Sequence, residues 1–256
     1  MNVPYCPIFE RSAQTVEYLT RASSLCAWIQ EQAVDVSWIS STQRDALVRL
    51  AHYSTRIEGN PLTLPEVEAL AMGKDLNIEE HAKQEVLNYF AALRWIWRKS
   101  PNQNIEEKDL LSLHKLLTQR LLSISESGVY KSKPNAVFQG TRIIYKPPPP
   151  EAAHILTRGL LHWLNSREAR IEHAVIVAAI THHRLVSIHP FTDGNGRIAR
   201  VITNFILHKY KYPLIIIDYK NRRSYYKALK KADSKGEYEF IKYFIRRYLS
   251  DYKRYL

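Results

Sequence analysis

The 256-residue chain is predicted to be mainly α-helical, and three observations predict this fold class. Apolar residues recur at helical spacing along most of the chain, so that most segments can bury one face of a helix. Glycine, which weakens helices, occurs only 8 times. A single short stretch carries the β-branched and aromatic residues that are typical of strands. The apolar content of 45% is sufficient for a substantial core.

Helical spacing or composition marks ten segments in chain order, at residues 11–34, 42–58, 65–73, 79–99, 106–121, 151–165, 169–187, 196–210, 223–231 and 237–254. The second segment ends before Gly59, a residue that suits the position just after a helix C-terminus. The sequence Thr63-Leu-Pro-Glu66 then predicts a capping box at the start of the next helix. Prolines at 147–150 cannot be helical, so they fix the entry into the helix at 151–165.

The pattern changes between Gly128 and Tyr145. The stretch Val137-Phe-Gln-Gly-Thr-Arg-Ile-Ile144 places strand-forming residues on both sides of a glycine turn. It predicts a β-hairpin. From these residues alone, a hairpin without a functional role and a functional hairpin are equally consistent with the sequence.

Residues 189–200 read His-Pro-Phe-Thr-Asp-Gly-Asn-Gly-Arg-Ile-Ala-Arg. Gly194 and Gly196 flank Asn195 and permit a tight backbone turn whose N–H groups point at an anion. The apolar spacing that follows indicates that a helix begins here, and a helix N-terminus attracts phosphate. The glycines therefore predict a phosphate site.

Charged and titratable residues surround this turn. Arg197 and Arg200 are three residues apart on one helix face, where they offer two guanidinium groups for phosphate. Asp193 precedes the turn, and a carboxylate beside phosphates is the usual ligand of Mg²⁺. His189 is the candidate general base, because its ordinary pKa lies near neutrality.

Together and in this order, these residues resemble the signature of the Fic family, His-x-Phe-x-(Asp/Glu)-Gly-Asn-Gly-Arg-x-x-Arg, and every fixed position is matched. The resemblance implies a Fic-type helical bundle with a small β-hairpin flap at about residues 128–145. It divides the chain into an N-terminal helical arm at 1–104 and a Fic core at 105–256. Most Fic proteins transfer the AMP moiety of ATP to a hydroxyl side chain of a target protein, and the flap holds that target.

The resemblance also implies a role for each motif residue. His189 deprotonates the target hydroxyl, and Asp193 binds Mg²⁺. The remaining positions contact ATP: Gly194, Asn195 and Gly196 form the anion hole, Arg197 holds the departing phosphates, and Arg200 reaches the γ-phosphate. A related group of kinases has lysine in place of the second glycine, so Gly196 favours nucleotidyl transfer. Asn221, Tyr225 and Tyr226 fall where relatives contact the adenosine, although the two tyrosines suit a core position equally well.

A second short motif reads Ser54-Thr-Arg-Ile-Glu58-Gly. Ser54 and Glu58 are four residues apart and share a helix face. On its own this pattern indicates a surface glutamate before a helix end. Beside the first motif, it is similar to the inhibitory signature of the family, (Ser/Thr)-x-x-x-Glu-(Gly/Asn). The resemblance implies that Glu58, in a helix at about 42–58, pairs with Arg200 and restrains the enzyme. In some relatives the same glutamate supports removal of AMP, and the sequence leaves both roles open.

Charge and composition add expectations about partners and location. Most of the net charge of +12 comes from residues after Lys209, and the basic helical end at 242–254 suits nucleic acid, a membrane surface, an acidic target or solvent. The intact motif favours an enzyme over an adaptor or nucleic-acid-binding module. Cys6 and Cys26 form no metal or disulfide pattern, and we expect neither a signal peptide nor a membrane span. A cytoplasmic location follows as an expectation, and self-association through residues 1–40 is left open.

Overall fold

A computed structural model describes residues 5, 7, 11–32, 36–99, 103–139 and 141–252. Within them the chain forms eleven α-helices and one two-stranded sheet. The helices are α1 (Ala13–Gln32), α2 (Val36–Ile57), α3 (Leu64–Ala71), α4 (Glu80–Arg98), α5 (Glu107–Thr118), α6 (Pro150–Leu164), α7 (Arg167–Ile171), α8 (Ala174–Ile188), α9 (Asn195–Lys209), α10 (Arg222–Lys235) and α11 (Tyr238–Asp251). The strands are β1 (Val137–Gln139) and β2 (Arg142–Tyr145). The predicted mainly α-helical fold with a small hairpin is confirmed.

Helices α8 and α9 form the centre of the molecule and pack along each other. Both helices are buried on nearly all sides. Helix α8 is largely apolar, and α9 buries polar residues together with its apolar face. The other helices surround this pair: α4, α5 and α2 contact α9, while α6, α10 and α11 contact α8. In the N-terminal arm, α1 packs on α11 and α2 packs on α4 and α9. The division at residue 104 stays a prediction.

Helix α2 ends where the sequence predicts. Gly59 follows it with a φ of +106°, which is the left-handed region that favours glycine. The next helix begins with the predicted capping box, in which the carboxylate of Glu66 accepts the Thr63 backbone N–H at 2.7 Å. This short connection fixes how Glu58, at the end of α2, faces the rest of the protein.

One predicted helix is broken in two. The segment at 169–187 is interrupted at Glu172 and His173, whose backbone is extended. The Nδ1 atom of His173 accepts the Val175 backbone N–H at 3.2 Å, so His173 caps α8. Ser23 in α1 contacts the other ring nitrogen at 3.1 Å. The break therefore depends on a contact with a distant helix, which helical spacing does not report.

The predicted hairpin forms as an antiparallel pair with a register shift after Val137. The Tyr145 hydroxyl donates to the Ser187 carbonyl at 2.8 Å and so fastens the hairpin to the end of α8. Three of its apolar side chains stay substantially exposed, those of Phe138, Ile143 and Ile144. The hairpin thus presents an apolar edge next to the motif.

No helix in the described part of the chain is both long enough and apolar enough to cross a membrane. Cys26 is a buried free thiol, and Cys6 lies outside the described residues.

Candidate active site

His189 ends helix α8 and starts the motif loop. Its φ of 52° and ψ of 58° are left-handed, and its backbone N–H donates to the Leu185 carbonyl at 3.1 Å. Such a conformation is uncommon for a residue other than glycine, and it redirects the chain toward α9. The imidazole Nδ1 lies 3.2 Å from the Val186 carbonyl, which only accepts. Nδ1 therefore carries the hydrogen, and Nε2 is left to accept a proton.

Burial lowers the pKa of His189, although the hydrogen bond to the Val186 carbonyl opposes this shift. The imidazole is consequently neutral near pH 7, which is the form that a general base needs. The positive charge of Lys131 also favours the neutral ring. Geometry and electrostatics thus leave Nε2 of a neutral ring free to accept a proton.

The loop between α8 and α9 is held closed by Asn195. The Asn195 amide oxygen accepts the Phe191 N–H at 2.9 Å, and its amide nitrogen donates to the Phe191 carbonyl at 2.8 Å. Asn135 donates to the same carbonyl at 3.0 Å. The side chain of Asn195 is buried and bound to its own loop, and its role in an anion hole stays a prediction. An anion at this position meets backbone N–H groups instead.

Those backbone groups lie at the N-terminus of α9. Gly194 takes a φ of +77° and turns the chain into the helix. Among the described residues, the N–H groups of Asn195, Gly196 and Arg197 have no hydrogen-bond acceptor, whereas that of Ile198 is bonded to the Gly194 carbonyl at 2.9 Å. Three free N–H groups and the helix dipole make this end of α9 suited to phosphate.

Sequence reasoning missed His114 in α5. This buried imidazole donates from Nε2 to the Asp193 carbonyl at 3.0 Å and accepts the Gly128 N–H on Nδ1 at 2.9 Å. It also stacks on Phe191, with ring centroids 3.9 Å apart. Burial lowers the pKa of His114 to about 4, so the ring stays neutral and keeps both bonds. The available signal was a histidine in the apolar stripe of α5.

Arg200 is buried and bound to the second motif. Its Nη2 lies 2.6 Å from Glu58 Oε1, and it donates from Nε to the Ser54 hydroxyl at 2.6 Å and from Nη2 to the Ser54 carbonyl at 3.0 Å. Burial lowers the pKa of Arg200, but the charge and hydrogen bond of Glu58 together with Tyr225 and Tyr89 outweigh it, and the net shift is upward. The structure thus brings together Glu58 and Arg200, whose pairing the resemblance implies, and adds contacts from Ser54.

Gly196 has a separate reason to lack a side chain. A Cβ at this position would collide with Glu58 Oε1 and would lie 3.0 Å from Arg200 Nη1. The carboxylate of Glu58 therefore fills the space where a residue with a side chain would stand. Gly196 lets the contact between Glu58 and Arg200 form directly over the first turn of α9.

Arg197 is held by two carboxylates. Its Nη1 lies 2.8 Å from Glu85 Oε1, and its Nη2 lies 2.8 Å from Asp193 Oδ2. Its buried Nε has no partner among the described residues. Sequence reasoning missed Glu85, a buried carboxylate in α4. The available signal was a glutamate between apolar residues of a helix face, at a position where charge is costly unless it is paired.

Asp193 is the residue that suits a metal ion. Its side chain is 62% exposed and contacts Arg197 through one oxygen. The other oxygen, Oδ1, has no partner in the described part of the chain. Mg²⁺ in nucleotide sites is commonly held by one or two carboxylates together with phosphate oxygens, so this carboxylate fits the ion.

The three residues expected near adenosine are placed differently from one another. Tyr225 is buried, and its hydroxyl bonds His182 Nε2 at 2.8 Å, so it lies in the core beneath the site rather than on its surface. Tyr226 is 44% exposed, and its hydroxyl donates to the Ile57 carbonyl at 3.3 Å. Asn221 lies at the start of α10. Tyr226 and Asn221 thus remain candidates for base contacts, and the burial of Tyr225 argues against stacking.

Comparison with known proteins agrees with this geometry. The model of the Fic/DOC family matches residues 104–207, which include α8, the motif loop and most of α9. The chain is 34% identical over 212 residues to the protein adenylyltransferase Fic of Drosophila mojavensis, an alignment that covers 81% of this chain. The chain belongs to the Fic/DOC family. The corresponding protein of Aedes aegypti is 31% identical over 247 residues and 91% of this Fic chain.

This Fic chain spans less than half the length of those relatives, 41% of the first and 48% of the second. Solved structures share its fold. A Fic domain containing signaling protein from Bacteroides thetaiotaomicron is 26% identical, with a TM-score of 0.79 over 90% of this chain and 95% of the other. Fic-1 from C. elegans is 25% identical, with a TM-score of 0.81 over 94% of this chain and 71% of the other.

Proposed function

We propose that this Fic protein is an autoinhibited protein adenylyltransferase, which transfers AMP from ATP to a hydroxyl side chain of a target protein. One observation carries the proposal. A neutral histidine with a free Nε2 adjoins a helix N-terminus that has three free N–H groups and two arginines. The names of the relatives at 31–34% identity support the same activity.

His189 takes the proton in the proposed reaction. The target oxygen forms a bond to the α-phosphorus of ATP, its proton passes to His189 Nε2, and the bond from the α-phosphorus to the bridging oxygen breaks. AMP is then attached to the target, and pyrophosphate leaves with the bonding electrons. The backbone N–H groups at the start of α9 contact the phosphates, and Arg197 stabilises the charge that develops on pyrophosphate.

Asp193 would hold Mg²⁺ together with phosphate oxygens, and the bound ion would neutralise phosphate charge. A phosphate contact on Arg197 Nη2 requires Asp193 to leave that nitrogen, which is feasible because Asp193 is exposed. Arg197 Nη2 then becomes available for a phosphate oxygen.

Glu58 restrains this reaction in the proposal. Its carboxylate occupies the Nη2 atom of Arg200 and the space above Gly196, where the γ-phosphate would otherwise bind. A negative carboxylate and a phosphate cannot share that guanidinium at the same place. The target pairs with the free backbone edge of a hairpin strand, beside the exposed side chains of Phe138 and Ile143.

Labelled ATP tests the proposal. Wild type and Glu58→Gly are incubated with Mg²⁺ and ATP labelled on the α-phosphate, alone and in a cell lysate. We expect the Glu58→Gly variant to label protein at least about tenfold faster, because removal of a charge-assisted contact frees Arg200. Adding His189→Ala to that variant abolishes labelling. The control is Glu31→Gly, which makes the same change at an exposed position in the last turn of α1.

Equal labelling by wild type and Glu58→Gly would contradict the restraining role. Labelling only from the γ-phosphate would indicate a kinase instead of an adenylyltransferase.

A second activity, removal of AMP, is favoured by one feature of Glu58. The residue contacts Arg200 through Oε1 alone, and Oε2 has no partner in the described part of the chain. A 35% exposed side chain with a free carboxylate oxygen is placed to orient a water molecule. We expect wild type, but not Glu58→Gly, to release AMP from a pre-labelled target. The released nucleotide is measured by chromatography, and equal release by both proteins would contradict this activity.

A further inference from the structure

We propose that Glu85 is a positioning residue for Arg197, and that Asn60 ties it to the segment that carries Glu58. The inference rests on the proposed function, in which Arg197 contacts nucleotide phosphates. It concerns residues outside both sequence motifs, because Glu85 lies in α4 and Asn60 follows Gly59.

The two oxygens of Glu85 have different partners. Oε1 contacts Arg197 Nη1 at 2.8 Å, and Oε2 accepts the Asn60 side-chain amide at 2.7 Å. Asn60 is itself fixed, since it also donates to the Ala82 carbonyl at 3.0 Å and accepts the Leu62 N–H at 3.0 Å. Glu85, Asn60 and Arg197 are each at most 7% exposed. The chain from Asn60 to Arg197 is therefore a buried network in which each member has a defined position.

This position requires a carboxylate. Glu85 accepts two hydrogen bonds on two different oxygens, whereas a glutamine has one oxygen and one NH₂ group. A glutamine in one orientation would accept from Arg197 through its oxygen and place its NH₂ group against the NH₂ group of Asn60. In the other orientation it would accept from Asn60 and place its NH₂ group against Arg197. One buried donor would then lose its acceptor, which is costly.

Of the two carboxylates that hold Arg197, we expect Glu85 to stay in place and Asp193 to be exchanged for phosphate. The side chain of Glu85 is 9% exposed, whereas that of Asp193 is 62% exposed. When Asp193 turns to a metal ion, Glu85 continues to hold Nη1 and leaves Nη2 directed at the nucleotide. A guanidinium that is already oriented loses little conformational entropy when phosphate binds.

Residues 58–60 therefore have opposite effects on the two motif arginines, keeping one from the nucleotide and orienting the other toward it. Glu58 withholds Arg200 from the nucleotide, while Asn60, through Glu85, holds Arg197 in place for it. Loss of Glu58 should release activity, and loss of the link between Asn60 and Glu85 should reduce nucleotide affinity.

The test compares three variants in the Glu58→Gly protein. Glu85→Gln breaks the network, and Asn60→Asp combined with Glu85→Gln restores its central contact, because the introduced aspartate accepts the NH₂ group of the introduced glutamine, although it cannot donate to the Ala82 carbonyl as Asn60 does. Glu80→Gln is the control, since Glu80 is an exposed residue of the same helix with a side-chain exposure of 76%. Calorimetry measures the affinity for Mg²⁺-ATP and for adenosine, rates of AMP transfer give KM and kcat, and thermal unfolding monitors stability.

We expect Glu85→Gln to weaken Mg²⁺-ATP binding about tenfold or more, as for the loss of one charge-assisted hydrogen bond. KM for ATP should rise more than kcat falls. Adenosine, which has no phosphate, should bind with unchanged affinity, a result that a general loss of structure does not produce. The double variant should recover part of the affinity, and Glu80→Gln should stay within about twofold.

Three outcomes would overturn the inference. In the first, Glu85→Gln binds Mg²⁺-ATP at least as tightly as its parent. In the second, Glu85→Gln loses affinity for ATP and for adenosine equally. In the third, the double variant recovers its melting temperature without recovering affinity for Mg²⁺-ATP. If the parent protein transfers no AMP and Glu85→Gln still loses affinity for Mg²⁺-ATP, the proposed function fails and the positioning role stands.

Discussion

Gly196 and Glu58 occupy neighbouring space, and each limits what the other position tolerates. The glycine sits in the first turn of α9, where alanine would ordinarily favour the helix by up to about 1 kcal/mol. Here the carboxylate of Glu58 stands where an added methyl group would be. An alanine at 196 would thus displace the end of the Glu58 side chain, which comes from the end of α2.

A pair of substitutions tests this interlock. Gly196→Ala should destabilise wild type by about 1–3 kcal/mol, because the methyl group overpacks the Glu58 contact. In the Glu58→Gly protein the same substitution should cost at least about 1 kcal/mol less, since the space is then open on that side. Denaturant unfolding of the four proteins gives the coupling. Additive effects would mean that Glu58 does not fill this space in solution.

The element that supports the motif loop is helix α5, through His114. This ring joins the Gly128 N–H to the Asp193 carbonyl and stacks on Phe191. The N-terminal end of the hairpin segment and the metal-binding candidate are therefore fixed by one side chain. The neutral ring is essential for this arrangement, because protonated Nδ1 cannot accept the Gly128 N–H.

The pKa of His114 makes this support sensitive to acid. The folded pKa is about 4, against an ordinary value of 6.5, so between these values the unfolded chain binds more protons. The free energy of unfolding should therefore fall by roughly 3 kcal/mol as the pH drops from 6.5 to 4, and this contribution is complete above 6.5. The variant His114→Phe keeps a stacked ring but has no titratable group at this position. In it, the decrease in the free energy of unfolding between pH 6.5 and 4 that comes from His114 should disappear. Unfolding measured along the pH range checks this, and an unchanged slope would exclude His114 as its source.

At the scale of the molecule, restraint should appear in nucleotide-dependent stability. A ligand that binds only the folded protein stabilises it by about 2.7 kcal/mol at a hundredfold excess over Kd. We expect Mg²⁺-ATP to raise the melting temperature of Glu58→Gly by several degrees and that of wild type by much less. Adding His189→Ala to the variant should keep this increase, because His189 acts on the proton and not on binding. Equal increases in wild type and Glu58→Gly would contradict competition between Glu58 and the nucleotide.

The sequence predicted most of this molecule, because long amphipathic segments and two dense motifs leave few alternatives. It predicted most of the helices and the hairpin, and the family resemblance implied the pairing of Glu58 with Arg200. It did not predict Glu85 and His114, whose importance comes from partners on other helices. Periodicity reports which face of a helix is buried, but not which polar groups a distant segment brings to that face. The same limit explains the break at His173 and the closed loop at Asn195.

The contact between Glu58 and Arg200 joins residues 142 positions apart, with the carboxylate on the earlier one. Protein synthesis proceeds from the N-terminus, so α2 has left the ribosome well before the motif is translated. A growing chain therefore contains Glu58 at every moment when it contains Arg200. In the proposed function, the order of the two motifs therefore places the restraining glutamate in the growing chain before the arginine that it restrains.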